Sequence, residues 1–218
     1  MEKNYLSKFI ESSQALHCNA NHNMKENFTS ILNNFDKVIA EKATFLYNKH
    51  NEPLDQNQIL SLLESHNIYD EELVELYSWK NGIFYNPIEY TILYDYSAEG
   101  VILPLEYASS LCNPDDGYHL WKKNFFPIIG NYGGDFLLYN SDSKSKTHKM
   151  IFLYSKSALS LNPMYSYFDS VSAMLMSITE CFNSNVFQYN ENSGLDINIE
   201  AWTGIIRGIN TKSTYWKQ

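Results

Sequence analysis

Two periodicities alternate along this chain and divide it into helical and extended blocks. Phe35, Val38, Ile39, Lys42, Phe45, Leu46 and Lys49 follow helical spacing with the apolar positions on one face. That helix is expected to stop before Asn51-Glu52-Pro53. Asp55 then caps a second helix, and Gln58 stands where a capping box places Glu or Gln. Ile59, Leu60, Leu62 and Leu63 form its buried face, and His66-Asn67 ends it. Asp70 caps a third helix, with Glu71 and Glu72 in the first turn facing the positive end of the dipole. Tyr69 and Val74 occupy staple positions, and Leu73, Val74, Leu76 and Tyr77 make the apolar face. Asn81-Gly82 stops this helix, with Gly82 as its left-handed C′ residue.

Extended segments follow. Ile83-Phe84-Tyr85 is short. From Glu89 to Tyr96 the chain alternates, with Tyr90, Ile92, Tyr94 and Tyr96 on one face. Val101-Ile102-Leu103 is a further apolar run, and Pro104 opens a short helix reaching Leu111. Asn113-Pro114-Asp115-Asp116-Gly117 has loop composition. Two apolar runs then flank a Gly-rich centre, Phe126 to Gly130 and Phe136 to Tyr139, with Gly133-Gly134-Asp135 between them. Glycine supplies φ > 0 without a Cβ penalty, so this reads as a β-hairpin or a strand–turn–strand corner. Pro127 cannot donate a ladder hydrogen bond and belongs at a strand start or edge. Lys149 to Tyr154 returns as a strand after a polar turn, giving an antiparallel meander.

Phe168, Val171, Leu175, Ile178 and Phe182 recur at spacings of three and four, with Met174 and Met176 widening the stripe. This is the clearest amphipathic helix in the chain. Residues 188–195 read as a polar linker. Ile199, Trp202, Ile205, Ile206 and Ile209 mark a final helix, with Tyr215-Trp216 as anchors. Residues 1–34 read as a polar, partly helical extension, with a helix near Tyr5–Leu16. The expected architecture is α+β: N-terminal helices, a mainly antiparallel sheet of about five or six strands, and C-terminal helices packed on it. Residues 35–187 form the main domain, and 188–218 a helical extension packed on the same domain.

Charge sharpens this picture. The chain has 16 Lys and Arg against 25 Asp and Glu, a net charge of −9. Between Ile68 and Trp121 lie Asp70, Glu71, Glu72, Glu75, Glu89, Asp95, Glu99, Glu106, Asp115 and Asp116, against Lys80 alone. That surplus of nine equals the whole net charge; the rest of the chain balances at 15 acidic and 15 basic residues. A chain of this sign is not expected to hold nucleic acid directly. The acidic region is either a solvated face with capping carboxylates or a docking surface for a basic partner. Capping accounts for Asp70 to Glu75. The docking reading therefore falls on Glu89, Asp95, Glu99, Asp115 and Asp116, with Tyr94, Tyr96 and Tyr118 as aromatic anchors. The alternation also allows Tyr94 and Tyr96 to face the core.

Catalytic and metal-binding patterns are weak. The Gly-rich turn has the spacing G-x-x-G-G-D, with no Lys-Ser/Thr and no following helix to hold a phosphate. His17, Cys18 and His22 lie close together but lack a fourth ligand at zinc spacing. His119 with Asp115 and Asp116 is the best general-base cluster, and reads as an exposed acidic loop. Cys18, Cys112 and Cys181 are far apart, which fits free thiols in a reducing compartment. The N-terminal residues carry no apolar leader and no run approaches a membrane span, so a cytoplasmic protein without metal or cofactor is expected.

Three segments carry a resemblance. The run from Phe126 through Gly133-Gly134-Asp135 to Asn140 resembles the "LP(I/F)…GGD…L..D" core of the SUKH superfamily. Tyr69 to Gly82 resembles its "LY...NG" signature, with Ile68-Tyr69 where the family has Leu-Pro. Phe168 to Phe182 resembles its closing helix. The likeness covers about Phe35 to Phe187. It implies an immunity protein that binds a toxin, often a nuclease, and carries no catalytic residues. The expected partner is thus a basic toxin domain, with no membrane and an open oligomeric state. A regulatory or scaffolding module, like the family's fungal cell-wall-synthesis regulator, and an enzyme with an unrecognised site are the alternatives.

Overall fold

The computed structural model describes residues 20–83, 95–115, 117, 119–131, 134–158, 163 and 165–217, with side-chain environments from residue 28 onward. Helix α1 spans Ala20–Lys42, where Phe28, Leu32, Phe35 and Ile39 bury one stripe at helical spacing. It is followed by the single turn α2 (Thr44–Tyr47), with Leu46 fully buried. The break between them is at Ala43, whose φ of −138° leaves the helical region. The helix expected from Phe35 therefore begins 15 residues earlier, and the expected boundary at 34/35 falls inside it.

Helix α3 (Gln56–Ser65) starts with the anticipated capping box: the Asp55 carboxylate accepts from Asn57 N at 2.8 Å and Gln58 Oε1 accepts from Asp55 N. Helix α4 (Glu71–Trp79) is capped by Asp70, which accepts from Glu72 N at 2.9 Å. Tyr69 does not close a hydrophobic staple, for it stays 75% exposed.

Gly82 has a different role from the one expected. Helix α4 ends at Lys80 in extended conformation, so Gly82 is not its C′ residue. Gly82 has φ +60°, and a Cβ there would lie 2.5 Å from the Ile102 carbonyl oxygen. The glycine lets residues 81–83 lie against strand β1 (Val101–Ile102), with Ile83 N donating to Ile102 O at 2.9 Å. This contact seats Asn81 beside helix α5 (Leu105–Cys112). Pro104 offers that helix no side-chain cap, and the Asn81 Oδ1 accepts from Leu105 N instead, at 2.9 Å.

The sheet runs β1, β2 (Phe125–Gly130), β3 (Asp135–Asn140), β4 (Ile151–Ser155) and β5 (Ser166–Phe168) in spatial order, every pair antiparallel. This is the anticipated meander. Gly134 turns β2 into β3 with φ +90°, and Gly133 lies outside the described residues. Asp135 stabilises the turn: its N donates to Asn131 Oδ1 at 2.9 Å. Pro127 sits at a bulge in β2, beyond the two residues paired with β1. All six residues of β2 are buried. Both faces are therefore covered, and the segment reads as a continuous apolar run instead of an alternation.

Helix α6 (Val171–Asn183) lies against α1. Ser170 caps it by accepting from Ala173 N. Phe168, expected on this helix, belongs to β5. Met174 is fully buried but Met176 is 43% exposed. Burying Leu175, Ile178 and Phe182 stabilises the fold by roughly 1.5–3 kcal/mol each before entropy is counted.

The expected polar linker is instead a hairpin, β6 (Phe187–Asn190) paired with β7 (Gly194–Ile197). Phe187 and Tyr189 point inward while Gln188 is exposed, and Asn190 Oδ1 closes the turn by accepting from Asn192 N. Helix α7 (Ile199–Ile209) then presents Trp202 and Ile206 to the core. The second expected boundary, 187/188, falls inside β6, and Phe28, Phe168 and Trp202 belong to one hydrophobic cluster. Trp216 anchors the terminus by donating to Tyr167 O at 2.9 Å. Among the described residues no helix is long and apolar enough to cross a membrane.

Candidate functional site

Of the residues expected to form the docking surface, two of the four that are described lie inside the fold. Tyr96 is fully buried, 5.7 Å from the His50 ring and 6.0 Å from the Phe35 ring. Its hydroxyl accepts from Ile102 N at 2.9 Å. Glu99 is 7% exposed and accepts from the Tyr167 hydroxyl. Burial pushes its carboxyl up to about 7, and that of half-buried Asp95 up to about 6. Both Tyr96 and Glu99 are therefore interior residues and present nothing to a partner.

The cause is a tight turn. Ser97 and Gly100 exchange backbone hydrogen bonds of 3.2 and 3.3 Å, and Tyr96, Ser97, Glu99 and Gly100 of this turn are buried while Ala98 at its tip is exposed. Asp115 is exposed. Glu89, Tyr94, Asp116 and Tyr118 lie outside the described residues.

The helix-capping acids do more than cap. Asp70 is buried and also accepts from the Tyr139 hydroxyl at 2.6 Å, with Lys149 Nζ at 3.3 Å. Glu72 accepts from both Ser172 N and Ser172 Oγ at the start of α6. Burial still raises its carboxyl pKa above the ordinary range. Glu75 accepts from Thr29 Oγ1 of α1. These carboxylates tie α4 to β3, α6 and α1.

On the outside, a groove of about 630 Å³ lies between α3 and α4, closed at one side by Thr29 of α1. Ile68 and Val74 form apolar lining, with Leu60 37% exposed and Tyr69 75% exposed at its margin. Glu64 and Glu71 are exposed and Glu75 half-buried on the same walls, and among the described residues no Lys or Arg lines it. Sequence reasoning missed Tyr69 here because the staple position implied burial. The signal that could have found it is Tyr69 itself, a large aromatic next to four clustered acids.

His119 is half-buried in a loop with exposed Asp115 near it in sequence. His17 and Cys18 lie outside the described residues, and the side chain of His22 is not described. Among the described residues no three His, Cys, Asp or Glu side chains form a metal-sized group. Burial pushes the thiols of Cys112 and Cys181 up to about 12, which holds both protonated and poorly nucleophilic. His50 was not singled out by sequence. Its ring stacks in the core, Nδ1 is 3.1 Å from Tyr47 O, and burial pushes its pKa down to about 4. It is a neutral packing residue at ordinary pH.

No protein-family model matches the chain, and no curated protein matches it.

Proposed function

We propose that this chain is a non-catalytic binding protein of the immunity type, which neutralises a basic, nuclease-type toxin in the cytoplasm. A nuclease holds phosphates with Lys and Arg, so an acidic protein that occupies that surface excludes the nucleic acid. The observation that carries the reading is the exposed side of α3 and α4. There a 75% exposed Tyr69 stands beside the exposed acids Glu64 and Glu71, and none of the described residues lining the groove is Lys or Arg. Tyrosine in such a setting offers contact area and a hydrogen-bonding tip at small entropic cost.

The resemblance to the SUKH superfamily supports the same reading. Its three segments contain the turn at Gly134, the Asn81-Gly82 contact with β1 and the helix α6, which are elements of one scaffold. A scaffold hosts many activities, so the binding surface carries more weight than the fold.

Protection tests the reading. The genes beside this one are searched for a basic toxin domain, the chain is expressed with it, and survival and nuclease activity are measured. Survival together with a stoichiometric complex that no longer cleaves nucleic acid is the expected result. A toxin that stays active in the presence of saturating protein rejects it.

A further inference from the structure

One end of the sheet gathers cations on two adjacent turns. Lys122 and Lys123 stand on the turn that opens β2, where Phe125 N donates to Lys122 O at 3.0 Å. Lys144 and Lys146 stand on the β3–β4 connection, residues 141–150. Because Phe125 pairs with Asn140, the two turns lie side by side. Ser141 fastens them: its N and its Oγ both donate to Asn124 O, at 2.9 and 3.0 Å. Asn140 completes the joint. It is 2% exposed, its Oδ1 accepts from Asn124 Nδ2 and Asp142 N, and its Nδ2 donates to Thr147 O and Thr147 Oγ1. The full capacity of one buried amide is thus used to set the turns. The four lysines are exposed, and among the described residues none of them makes an ion pair. Lys149 is not one of this set, since its Nζ lies 3.3 Å from Asp70 Oδ2. Asp142 is the one acid in either turn, and its Oδ1 accepts from Lys144 N within the loop. Asp115, in the loop that leads to the first turn, forms no ion pair with these lysines.

We propose that these two turns dock a short acidic segment, a run of Asp and Glu, from a protein partner. The proposal goes beyond the reading of the chain as a toxin-binding protein and does not depend on it. A basic toxin is repelled from this end, so the surface serves a second contact of opposite sign. Charge selects an anion. Four ammonium groups on adjacent turns, against one carboxylate, repel one another, and an anionic occupant relieves that repulsion. Lysine presents a compact charge with three rotatable donors, which suits carboxylates arriving at several angles. Because the turns are fastened through Asn140, little loop freedom is lost on binding. Length limits the occupant. Lys122, Lys123, Lys144, Lys146 and Asp142 sum to +3, so the rest of the chain, which totals −9 with them, carries −12. A long polyanion such as a nucleic acid would run off the turns into that field. Neither turn offers it an arginine, and the nearest rings, Trp121 and Phe125, are buried and cannot stack on bases. A single phosphate would meet only part of a charge spread over two turns.

The probe is a fluorescein-labelled peptide of about eight residues, all Asp and Glu, titrated into the full chain at about 0.15 M salt, where distant surface charges are screened. A control peptide replaces every Asp by Asn and every Glu by Gln. Saturable binding is expected for the acidic peptide and none for the control. Lys144→Glu with Lys146→Glu, and separately Lys122→Glu with Lys123→Glu, should each weaken it by about tenfold or more. Lys37→Glu with Lys212→Glu makes the same change in net charge at exposed positions on α1 and after α7, and should leave binding within about twofold. Thermal melts of the turn variants should match the wild type, since their side chains are exposed and unpaired. Absence of saturable binding overturns the proposal. So does an equal loss in the Lys37 and Lys212 variant, which would mean net charge without a site. Tighter binding of a single-stranded oligonucleotide of matched charge overturns it in favour of nucleic acid. Displacement of the peptide by inorganic phosphate at constant ionic strength overturns it in favour of a small anion. Sedimentation showing a dimer that the turn variants abolish overturns it in favour of a second copy. The protection assay separates this surface from the wider reading. Turn variants that lose the peptide yet still protect against the toxin are the expected result. A wild-type chain that binds the peptide but never protects removes immunity and leaves the acidic-segment site.

Discussion

The hydroxyl of Tyr139 donates a 2.6 Å hydrogen bond to the carboxylate of Asp70, 69 residues earlier in the chain. Asp70 caps α4 and Tyr139 lies in β3, so one buried contact joins the helical N-terminal part to the centre of the sheet. Lys149 Nζ, 3.3 Å from the same carboxylate oxygen, balances its charge. Tyr139→Phe keeps the ring packing and removes only the donor. It is expected to destabilise the protein by about 1–2 kcal/mol. Asp70→Ala loses the cap and the ion pair as well and should cost more, roughly 2–4 kcal/mol. Urea unfolding measures both. A Tyr139→Phe midpoint equal to wild type would show that the contact contributes nothing.

Asn81 and Gly82 form a second joint. Asn81→Ala leaves Leu105 N and Glu106 without their partner, for Asn81 Nδ2 also donates to Glu106 Oε2 at 2.8 Å. The expected loss is about 1–3 kcal/mol. Gly82→Ala should be worse, at roughly 3 kcal/mol or more, since its Cβ would meet backbone atoms that cannot move aside. Gly134→Ala serves as the comparison. It has φ +90°, also positive, but the nearest atoms to a new Cβ are Lys156 Cδ at 3.2 Å and Lys156 Cβ at 3.3 Å, farther off than the backbone atoms that Gly82 faces. Its cost should stay near 1–2 kcal/mol. Thermal melts of the two Gly→Ala proteins give the order directly, and a reversed order contradicts the assignment.

Glu99 gives stability a pH dependence. Its carboxyl sits near 7 in the fold, raised by burial, against 4.5 as an ordinary glutamate. Between those values the unfolded chain has released its proton and the folded chain still holds it. Stability from this group is therefore greatest below about 4.5, falls as pH rises through about 7, and is level beyond. Glu99→Gln retains an acceptor for Tyr167 without the titration. It should match wild type near the acid end and exceed it by on the order of 2 kcal/mol at alkaline pH. His50 acts in the opposite sense. Its lowered pKa withdraws stability as pH falls from about 6.5 toward about 4. Unfolding curves across the pH range check both limbs. A Glu99→Gln profile parallel to wild type would falsify the first.

Asn210 closes the C-terminal part onto the core. It is 1% exposed, donates to Ser177 Oγ at 2.9 Å and accepts from Asp169 N at 3.0 Å through Oδ1. Asn210→Ala should cost about 2–3 kcal/mol, because it strands a backbone donor beside α6. Hydrogen exchange at Asp169 should speed up in that variant. Unchanged exchange there would assign the loss, if any, to packing alone.

Local chemistry settled a good part of this protein in advance. The capping box at Asp55 and Gln58, the Asp70 cap, the meander through Phe126, Leu137 and Phe152, and the turn at Gly134 all follow from short-range rules that act within a few residues. The helix of Leu175 and Ile178 follows from periodicity. The places that differ share one cause: whether a side chain is inside depends on what a distant segment brings against it. Tyr96 and Glu99 have the residue types of an exposed acidic patch, yet both are buried at the Ser97–Gly100 turn, where Tyr167 and Ile102 supply partners. Tyr69 occupies a staple position, yet nothing covers most of its ring. The hairpin at 187–197 is hidden by polar residues on its open face, and Phe187 becomes a core residue only because Phe182 and Trp202 meet it. Sequence determined the capped helices, the central meander and the regional surplus of acid. Tertiary structure decided which carboxylates are spent on internal hydrogen bonds and which face solvent, because desolvation and partner contact are set by segments far apart in the chain.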